Sequence, residues 1–437
     1  MAGLASAALT ATAALAGGSH AGRLLVPWLL AHVVYLAAVW LVMARQTTLP
    51  VGWLIAVGLL PRLLLLPTPP TLSEDLYRYL WDGRLVAEGV NPYLHAPADS
   101  AHARYHDALL RRLHHADVPT IYPPMAQALF GTAARLAVEP WAWKATLLAL
   151  EGLLLLSLTS LLRARGLGTE RILLYAWNPL VIIESYGSGH VDLAAAAFFL
   201  FSLALLEPGA KRGGTDGAVM GGQAPAGLLA AAAGIAFASA ALVKYMPVLL
   251  LPALLRRRAW LALAAAAFTA GLLFLPFAPA WTAVGTGLAT YARHWEFNGS
   301  LYPALRPLFD DGAAPRLLLA GALGAAALVA AWRARTLTGA ALFVLAAWIV
   351  VSPTVYPWYL VIPIALLPLH PDRGLLLFSG LVALSYAGLG VSRATGVWTL
   401  PPFVPWVEYG GWVLAAAVAA AAGRASPGVA RRAAERG

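Results

Sequence analysis

The sequence contains no cysteine and very little charge. Without a thiol in any of its 437 residues, it can form neither disulfides nor cysteine metal sites, and it has no thiolate nucleophile. Charged residues make up only 11% of the chain, whereas hydrophobic residues make up 60%. Segments that alternate between apolar and polar residues are also missing, which leaves helices as the candidate membrane spans.

The hydrophobic residues are arranged in long apolar stretches of about 17–25 residues, the length that crosses a bilayer. We therefore expect an all-α, polytopic membrane protein whose residues 1–437 form a single domain with about 12–14 transmembrane helices. The apolar residues 3–18 are either a first span or a signal peptide. The span is favoured because the basic region that begins a signal peptide is missing.

The formal net charge of +10 predicts topology rather than binding to nucleic acid, because the arginines alternate between the gaps that separate the spans. By the positive-inside rule, the arginine-rich gaps face the cytoplasm and the others face outwards. The alternation is read from the apolar run after Lys144 onward. Counting back from the gap at 163–171 makes residues 68–124 the first extracytoplasmic loop, and the spans before it place both termini in the cytoplasm. Residues 208–226 form a flexible cytoplasmic loop. The remaining cytoplasmic segments are 163–171, 256–258, 333–335, 373 and the tail 424–437.

The loop over residues 68–124 is polar and aromatic, and its first helix contains the strongest candidate for chemistry. Ser73 suits a helix N-cap, and Glu74 and Asp75 then fall in the first turn, where the helix dipole favours negative charge. Helical spacing also places Asp75, Arg78 or Tyr79, and Asp82 on one face. Asp75 is therefore either a capping residue or a general base, and the residue pattern leaves both possibilities open.

Other outward-facing cations are candidates for binding an anion, and each has a structural alternative. Lys244 either binds phosphate or extends to the membrane interface. His190 either binds a ligand or pairs with Asp192 at the start of a span. Arg293 and His294 lie in an aromatic segment that also suits the membrane interface.

Arg62 is a lone charge inside an apolar run. Such a residue is either paired within the helix bundle or directed at a lipid phosphate, and the sequence does not choose between these two roles.

Several short motifs stand in the polar segments between the apolar runs. They are Asp75-x-Tyr77, Asp82-Gly83, Gly89-x-Asn91-Pro92-Tyr93, Tyr122-Pro123-Pro124-Met125-Ala126, Tyr175 to Pro179, Gly187 to Asp192, Lys244 to Pro247, Tyr291 to Ser300 and Ser352 to Tyr359. In this order they resemble the motifs of GT-C fold glycosyltransferases that use polyprenyl-phosphate sugars, particularly the bacterial mannosyltransferase-like group, glycosyltransferase family 87, over roughly residues 50–410. Each motif is weak alone, but the arginine pattern independently places them on one membrane face.

The resemblance implies an inverting transfer of a hexose, with mannose expected, from a polyprenyl-phosphate sugar to a hydroxyl of a lipid or glycan acceptor. In that reaction Asp75 is the expected base, and Glu74 is a second candidate because relatives often carry an acidic residue there. No cofactor is expected, and a divalent metal ion stays an open alternative. The residues expected to bind the donor phosphate and substrate are Arg78, Tyr79, Asp82, His190, Lys244, Arg293 and His294.

A transporter or flippase of lipid-linked sugars is the competing interpretation. Transporters concentrate ionisable residues at the middle of the membrane and are often internally duplicated. This sequence has few charges inside its spans, no evident duplication, and an outer loop of about fifty residues rich in His, Asp and Tyr. These features favour an enzyme whose site faces outwards.

Overall fold

The computed structural model describes residues 21–45, 49–207, 225–389 and 398–425, together with positions 7, 8, 10 and 392. The described residues form helices and connecting turns, and they contain no β-strand. The nearest approach to a strand is a pair of isolated bridges from Phe297 and Asn298 to Thr354. The predicted all-α fold class is confirmed.

The first half of the chain builds helices on both sides of the polar loop. Short 3₁₀ turns at Ser100–Tyr105, Leu110–Arg112 and Thr169–Ile172 lie between them. A π-helical turn follows the seventh helix at Ile183–Gly187. In chain order the α-helices are α1 (Ala21–Ala44), α2 (Val51–Leu65), α3 (Asp75–Ala87), α4 (Pro124–Leu136), α5 (Pro140–Ala164), α6 (Leu173–Ala176), α7 (Pro179–Ile182), α8 (Asp192–Leu206) and α9 (Ala226–Val243).

The second half alternates long helices with short ones, several of which contain a proline. The expected broken segment over residues 247–255 is a 3₁₀ turn, Met246–Leu250, followed by a short helix. Further 3₁₀ turns occupy Leu275–Ala280, Arg306–Leu308, Pro357–Leu360 and Val382–Gly388. The α-helices are α10 (Leu251–Arg256), α11 (Trp260–Phe274), α12 (Thr286–His294), α13 (Leu301–Leu305), α14 (Ala313–Arg333), α15 (Leu337–Val351), α16 (Val361–Leu366), α17 (Arg373–Leu381) and α18 (Phe403–Ala425).

Six helices of the described residues are long and apolar enough to cross a membrane. A seventh crossing is possible where Pro179–Gly187 and Asp192–Leu206 meet at a bend of 120°, and five shorter apolar helices accompany them. The chain is therefore a multi-pass membrane protein, as expected, while the count of 12–14 crossings stays a prediction. The crossing-capable segments are Leu25–Ala44, Pro140–Ala164, Ala226–Val243, Trp260–Ala280, Ala313–Arg333 and Phe403–Ala421.

Several sequence predictions fall on residues that the structure does not describe. Residues 208–224 of the expected flexible loop lie outside the described residues, as do residues 426–437 of the tail. Most of the apolar stretch 3–18 also lies outside them. The alternatives stated for these segments are unchanged.

Side-chain contacts gather the arginine-rich gaps at one end of the molecule. Arg165, just after α5, contacts both Glu207 at the end of α8 and Thr338 at the start of α15. Arg257, after α10, donates to the carbonyl of Arg335, after α14, at 2.7 Å. This grouping is the one that the arginine pattern predicts, and the membrane face to which this end belongs stays a prediction.

Arg62 is paired inside the bundle, which decides between its two possible roles. Its guanidinium group donates to both carboxylate oxygens of Glu151 on α5, at 2.7 and 2.8 Å, and both side chains are buried. The hydroxyls of Tyr175 and Tyr186 donate to the same carboxylate at 2.8 and 2.6 Å. Two buried charges thus neutralise each other and tie α2 to α5.

Lys144 is a second buried cation, and it anchors the beginning of the polar loop. Its ammonium donates to the carbonyl oxygens of Leu65 and Thr68 at 3.0 and 2.8 Å. Leu65 is the last residue of α2, so Lys144 occupies the carbonyl end of that helix, where a positive charge is favoured. The chain therefore leaves the membrane towards α3 from a fixed point.

We predict that Glu151→Gln will strongly destabilise the protein, because Arg62 would remain buried without its counter-charge. The expected loss in the free energy of unfolding is about 3–5 kcal/mol. Unfolding of the purified protein in detergent measures it. Asp107→Asn is the matched control, since it removes an ion pair with Arg84 that is largely exposed at Asp107 and should cost at most about 1 kcal/mol. Equal losses in the two variants would contradict the prediction.

Candidate active site

Asp75 begins α3, but its carboxylate does not cap that helix. The backbone N–H of Asp75 instead donates to Ser73 Oγ at 3.2 Å. The Asp75 carboxylate accepts no hydrogen bond from any other residue in the described part of the chain, and its side chain is 39% accessible. No hydrogen bond therefore supports the capping role of Asp75.

Two glycines allow α3 to pack closely on α4. A Cβ atom at Gly83 would lie 2.5 Å from the carbonyl oxygen of Phe130, and one at Gly131 would lie 2.6 Å from Val86. Tyr79, on the same helix, stacks on Phe130 with the ring centroids 4.6 Å apart and is buried. The close packing holds α3, and with it Asp75, against the membrane helices.

The helical conformation is interrupted between α7 and α8, and this break in the helix places His190 next to Asp75. The backbone N–H of His190 donates to the carbonyl of Glu184 at 2.9 Å. Gly189 has a φ of +82°, which L-residues with a side chain rarely adopt. The indole of Trp143 donates to the Gly189 carbonyl at 2.6 Å. The broken backbone is therefore held by hydrogen bonds, as a buried break must be.

His190 lies between two carboxyl groups. Its Nε2 is 3.9 Å from Asp75 Oδ2, and its Nδ1 is 3.0 Å from Glu184 Oε2. The imidazole is completely buried and stacks on Trp358 with the ring centroids 3.9 Å apart. The arrangement places the imidazole behind Asp75, where it has no accessible surface to meet a phosphate.

Lys244 supplies the cation nearest to this group. It follows the last residue of α9, and its Nζ lies 2.5 Å from Asp192 Oδ1 and 4.1 Å from the centre of the Tyr359 ring. The Tyr359 hydroxyl in turn lies 2.5 Å from that of Tyr291. Lys244 is thus directed towards the cluster by an ion pair and an aromatic face, which is not the geometry of a side chain extending to the interface.

Arg78 and Asp82, which both belong to α3, form an ion pair with each other. Arg78 Nε donates to Asp82 Oδ1 at 2.9 Å, and its Nη1 donates to the Val118 carbonyl at 3.0 Å. The other Asp82 oxygen accepts from Thr120 and Gln127 at 2.5 and 3.0 Å. Asp82 therefore ties α3 to the end of the outer loop, while Arg78 retains Nη2, which is buried and has no hydrogen-bond partner among the described residues.

Buried polar atoms without a partner are concentrated around the break in the chain. Buried polar groups in proteins are nearly always hydrogen-bonded, so such a concentration is typical of a functional site rather than of a structural one. Within the part of the chain that the structure describes, the unpartnered atoms here are Ser185 Oγ, Ser188 Oγ, both ring nitrogens of His190 and Asp192 Oδ2.

Burial sets the protonation of the groups in the site. Desolvation raises the pKa of Asp75 to about 6, although the positive charge of Lys244 opposes this effect. Burial also lowers the pKa of Lys244, which the Asp192 carboxylate counteracts. Asp75 is therefore largely ionised at pH 7 and takes up a proton as the pH falls through about 6.

The remaining residues singled out from the sequence lie outside this cluster. Glu74 forms an ion pair with His114 of the outer loop at 2.7 Å, and both side chains are exposed. Arg293 and His294 are exposed in the last turn of α12. Neither makes a side-chain hydrogen bond or ion pair with another described residue. Their predicted roles in catalysis and binding stay predictions.

Sequence reasoning missed Glu184, which is fully buried in the π-helical turn. The available signal was an acidic residue isolated in an apolar run, because ionisable residues inside a membrane are costly and are usually functional or paired. Its proximity to His190 depends on the 120° bend between the two helices, which no motif encodes.

We predict that Gly189→Ala will disrupt the site. The new Cβ atom would lie 2.3 Å from Leu76 Cδ1, and the positive φ would be strained for alanine, so we expect a loss of about 1–3 kcal/mol in stability. Thermal unfolding in detergent measures the loss. Gly152→Ala on α5 is the control, because a Cβ there meets nothing within 4 Å and should stabilise the helix slightly. A Gly189→Ala protein as stable as Gly152→Ala would contradict the prediction.

Comparison with known proteins found similar solved structures and a matching family model. Two crystal structures of ArnT from Cupriavidus metallidurans are similar at low identity. The apo state has 18% identity and a TM-score of 0.40, with 85% of this chain and 71% of that chain covered. The state bound to undecaprenyl phosphate has 16% identity and a TM-score of 0.41, with 85% and 77% covered. No curated protein matches the chain.

The match to a family model is more informative, because it covers residues 2–264, more than half of the chain. The model is that of the MptA_B family, described as alpha-(1->6)-mannopyranosyltransferase, N-terminal domain. The matched residues include Asp75, Glu184, His190, Asp192 and Lys244. The chain therefore belongs to the MptA_B family, and it is a membrane glycosyltransferase.

Proposed function

We propose that this protein transfers a hexose, most simply mannose, from a polyprenyl-phosphate sugar to a hydroxyl group of a lipid or glycan acceptor. Asp75 is the general base, and the sugar is transferred with inversion at its anomeric carbon. The mannosyltransferase family supports the sugar and the reaction class. The polyprenyl donor rests on the motif resemblance.

The observation that carries the proposal is the position of the Asp75 carboxylate. It is accessible, it has no hydrogen-bond partner among the described residues, and it lies beside the break in the chain where buried polar atoms are left unpaired. A carboxylate with a pKa of about 6 is suited to remove a proton near neutral pH. A purely structural carboxylate would be bonded to its surroundings, as Asp82 is.

The proposed reaction is a single displacement. The acceptor oxygen bonds to the anomeric carbon while the bond between that carbon and the phosphate oxygen breaks. Asp75 takes the proton that the acceptor oxygen loses, and the polyprenyl phosphate leaves with the bonding electrons. Attack from the face opposite the leaving group inverts the configuration. Fixing the acceptor near Asp75 lowers the entropic part of the barrier relative to the reaction in solution.

Arg78 and Lys244 are the proposed ligands of the donor phosphate. Arg78 offers the buried Nη2 that has no partner in the described structure, and a guanidinium group is well suited to phosphate oxygens. Lys244 is held near Asp75 by Asp192 and Tyr359. The negative charge that develops on the leaving phosphate would draw both cations towards it, which stabilises the transition state more than the ground state.

The site is proposed to face outwards. His190 and Lys244 belong to gaps that carry few arginines, Asp75 lies beside His190, and the arginine-rich gaps gather elsewhere, around Arg165 and Arg257. By the positive-inside rule the arginine-rich end is cytoplasmic. We accordingly propose that residues 68–124 form an extracytoplasmic loop of a single membrane domain, with both chain termini in the cytoplasm.

We predict that Asp75→Asn will abolish sugar transfer. The amide keeps the shape of the carboxylate but cannot accept the proton, so the rate should fall by about 10²–10⁴-fold. The measurement uses the purified protein in lipid and a panel of radiolabelled polyprenyl-phosphate sugars with membrane acceptors. Binding of the donor by the variant should be retained, because Arg78 and Lys244 are unchanged.

Asp117→Asn is the control for this experiment, since Asp117 is an exposed carboxylate of the same loop and should transfer sugar at the wild-type rate. Equal transfer by Asp75→Asn and the wild type would remove Asp75 as the base. If the wild type transfers no sugar from any donor, the reaction class is wrong and transport of lipid-linked sugars becomes the better interpretation.

We predict that kcat/KM will fall about tenfold per pH unit below pH 6. The base must be ionised, and the raised pKa of Asp75 means that it is protonated below about pH 6. Initial rates between about pH 4 and pH 8 measure the profile. A fall centred near pH 4 would show that the titrating base is an ordinary exposed carboxylate instead. The charged groups that act on the pKa of Asp75 are Lys244, Asp192, His114 and Arg78. The other titratable groups around it are His190, Glu184, Tyr79, Tyr122, Tyr291, Tyr356 and Tyr386.

A further inference from the structure

Glu184 has surroundings that differ from those of Glu151, another carboxylate buried in the helices. Its two oxygens accept from the Tyr386 hydroxyl at 2.9 and 3.2 Å, and one of them lies 3.0 Å from His190 Nδ1. No lysine or arginine of the described residues forms an ion pair with it. The imidazole of His190 is thus the group that can supply a counter-charge.

Glu151 provides the comparison within the same protein. It is equally buried and also accepts hydrogen bonds from tyrosine hydroxyls, but the permanent charge of Arg62 lies 2.7 Å away. In that pair the two charges neutralise each other, so Glu151 needs no further proton. Glu184 instead lies next to a side chain that is neutral at rest and becomes positive only when it takes up a proton.

We infer that Glu184 and His190 are positioning residues that together receive the proton from Asp75. The inference rests on the proposed function and deepens it. In the step, Asp75 takes the proton of the acceptor hydroxyl as the glycosidic bond forms. That proton then passes from Asp75 Oδ2 to His190 Nε2. The imidazolium so formed lies beside Glu184, and the cycle closes when the proton returns through Asp75 to water after the product leaves.

The geometry suits this order of transfer. Nδ1 of His190 lies 3.0 Å from Glu184 Oε2, and in the tautomer that carries its proton on Nδ1 the lone pair of Nε2 is on the side of Asp75. Stacking on Trp358 fixes the plane of the imidazole. The Nε2 to Oδ2 distance of 3.9 Å must shorten by about 1 Å to reach hydrogen-bond length. A small movement of Asp75 achieves this, because no hydrogen bond from a described residue holds its carboxylate.

The same geometry separates this role from phosphate binding, the role expected for His190 from the sequence. A completely buried imidazole between two carboxyl groups and an indole has no surface for an anion. Loss of a phosphate ligand would weaken the binding of the donor. Loss of a proton acceptor would slow the chemical step and leave the binding of the donor unchanged.

The test measures kcat and KM for the donor over a range of pH in the wild type and in His190→Gln, Glu184→Gln and Tyr386→Phe. We expect kcat to fall about 10- to 100-fold in the first two variants and less in Tyr386→Phe, with KM nearly constant. The pH at which activity falls should also shift. The charged groups facing His190 are Asp75, Glu184 and Lys244.

Tyr175→Phe is the matched control, because it removes a tyrosine hydroxyl from the other buried carboxylate, Glu151, at 2.8 Å. It should change thermal stability as Tyr386→Phe does but leave kcat and the pH profile alone. If Tyr386→Phe and Tyr175→Phe behave alike in all three measurements, or if His190→Gln raises KM at constant kcat, the inference is overturned.

A measurement on the unaltered protein covers the case in which a variant does not fold. Nitrogen NMR of protein labelled at histidine reports which ring nitrogen of His190 carries the proton, with the signal assigned through its contact with the Trp358 indole. A proton on Nδ1 supports the inference, and a proton on Nε2 overturns it. Failure of the proposed function is recognised separately, because the wild type itself would then transfer no sugar.

Discussion

The structure depends above all on one broken helix. The span that begins at Pro179 turns by 120° and resumes at Asp192, so a stretch of backbone inside the bundle gives up helical hydrogen bonds. Lipid cannot replace them, and Trp143 and the Glu184 carbonyl do so instead. An unbroken helix would spread Glu184, His190 and Asp192 around its surface. The break points them towards Asp75, which arrives from a different part of the chain.

Buried charge in this protein follows two patterns. Arg62 with Glu151, and Lys144 with the end of α2, are satisfied completely and hold elements in place. His190 is buried and left short of partners, at a cost in stability that a structural role would not justify, and the accessible Asp75 carboxylate has no hydrogen-bond partner among the described residues. Proteins retain such incomplete pairing where a substrate supplies the missing contacts. The difference in pairing therefore separates framework from site without any reference to relatives.

Much of this could be predicted from the sequence, and the reasons for the rest are physical. Apolar runs predict helices because lipid permits little else, and Asp75 stands out because it lies in the polar loop. Glu184 could not be assigned, since its neighbours come from residues as distant as Tyr386. The pairing of Arg62 was undecidable for the same reason, because Glu151 is 89 residues away. Local pattern identifies charges, whereas the fold alone decides which of them meet.

The length of α8 has a consequence for how a substrate arrives. The helix has 15 residues from Asp192 to Leu206, so it is about 22 Å long, whereas the hydrocarbon layer is about 30 Å thick. With its Glu207 end level with one membrane surface, Asp192 lies about 8 Å below the other. The proposed reaction centre then lies below the membrane surface. A molecule carried in the leaflet by its own hydrocarbon tail enters by sideways diffusion, whereas a water-soluble nucleotide sugar would have to leave water to reach it.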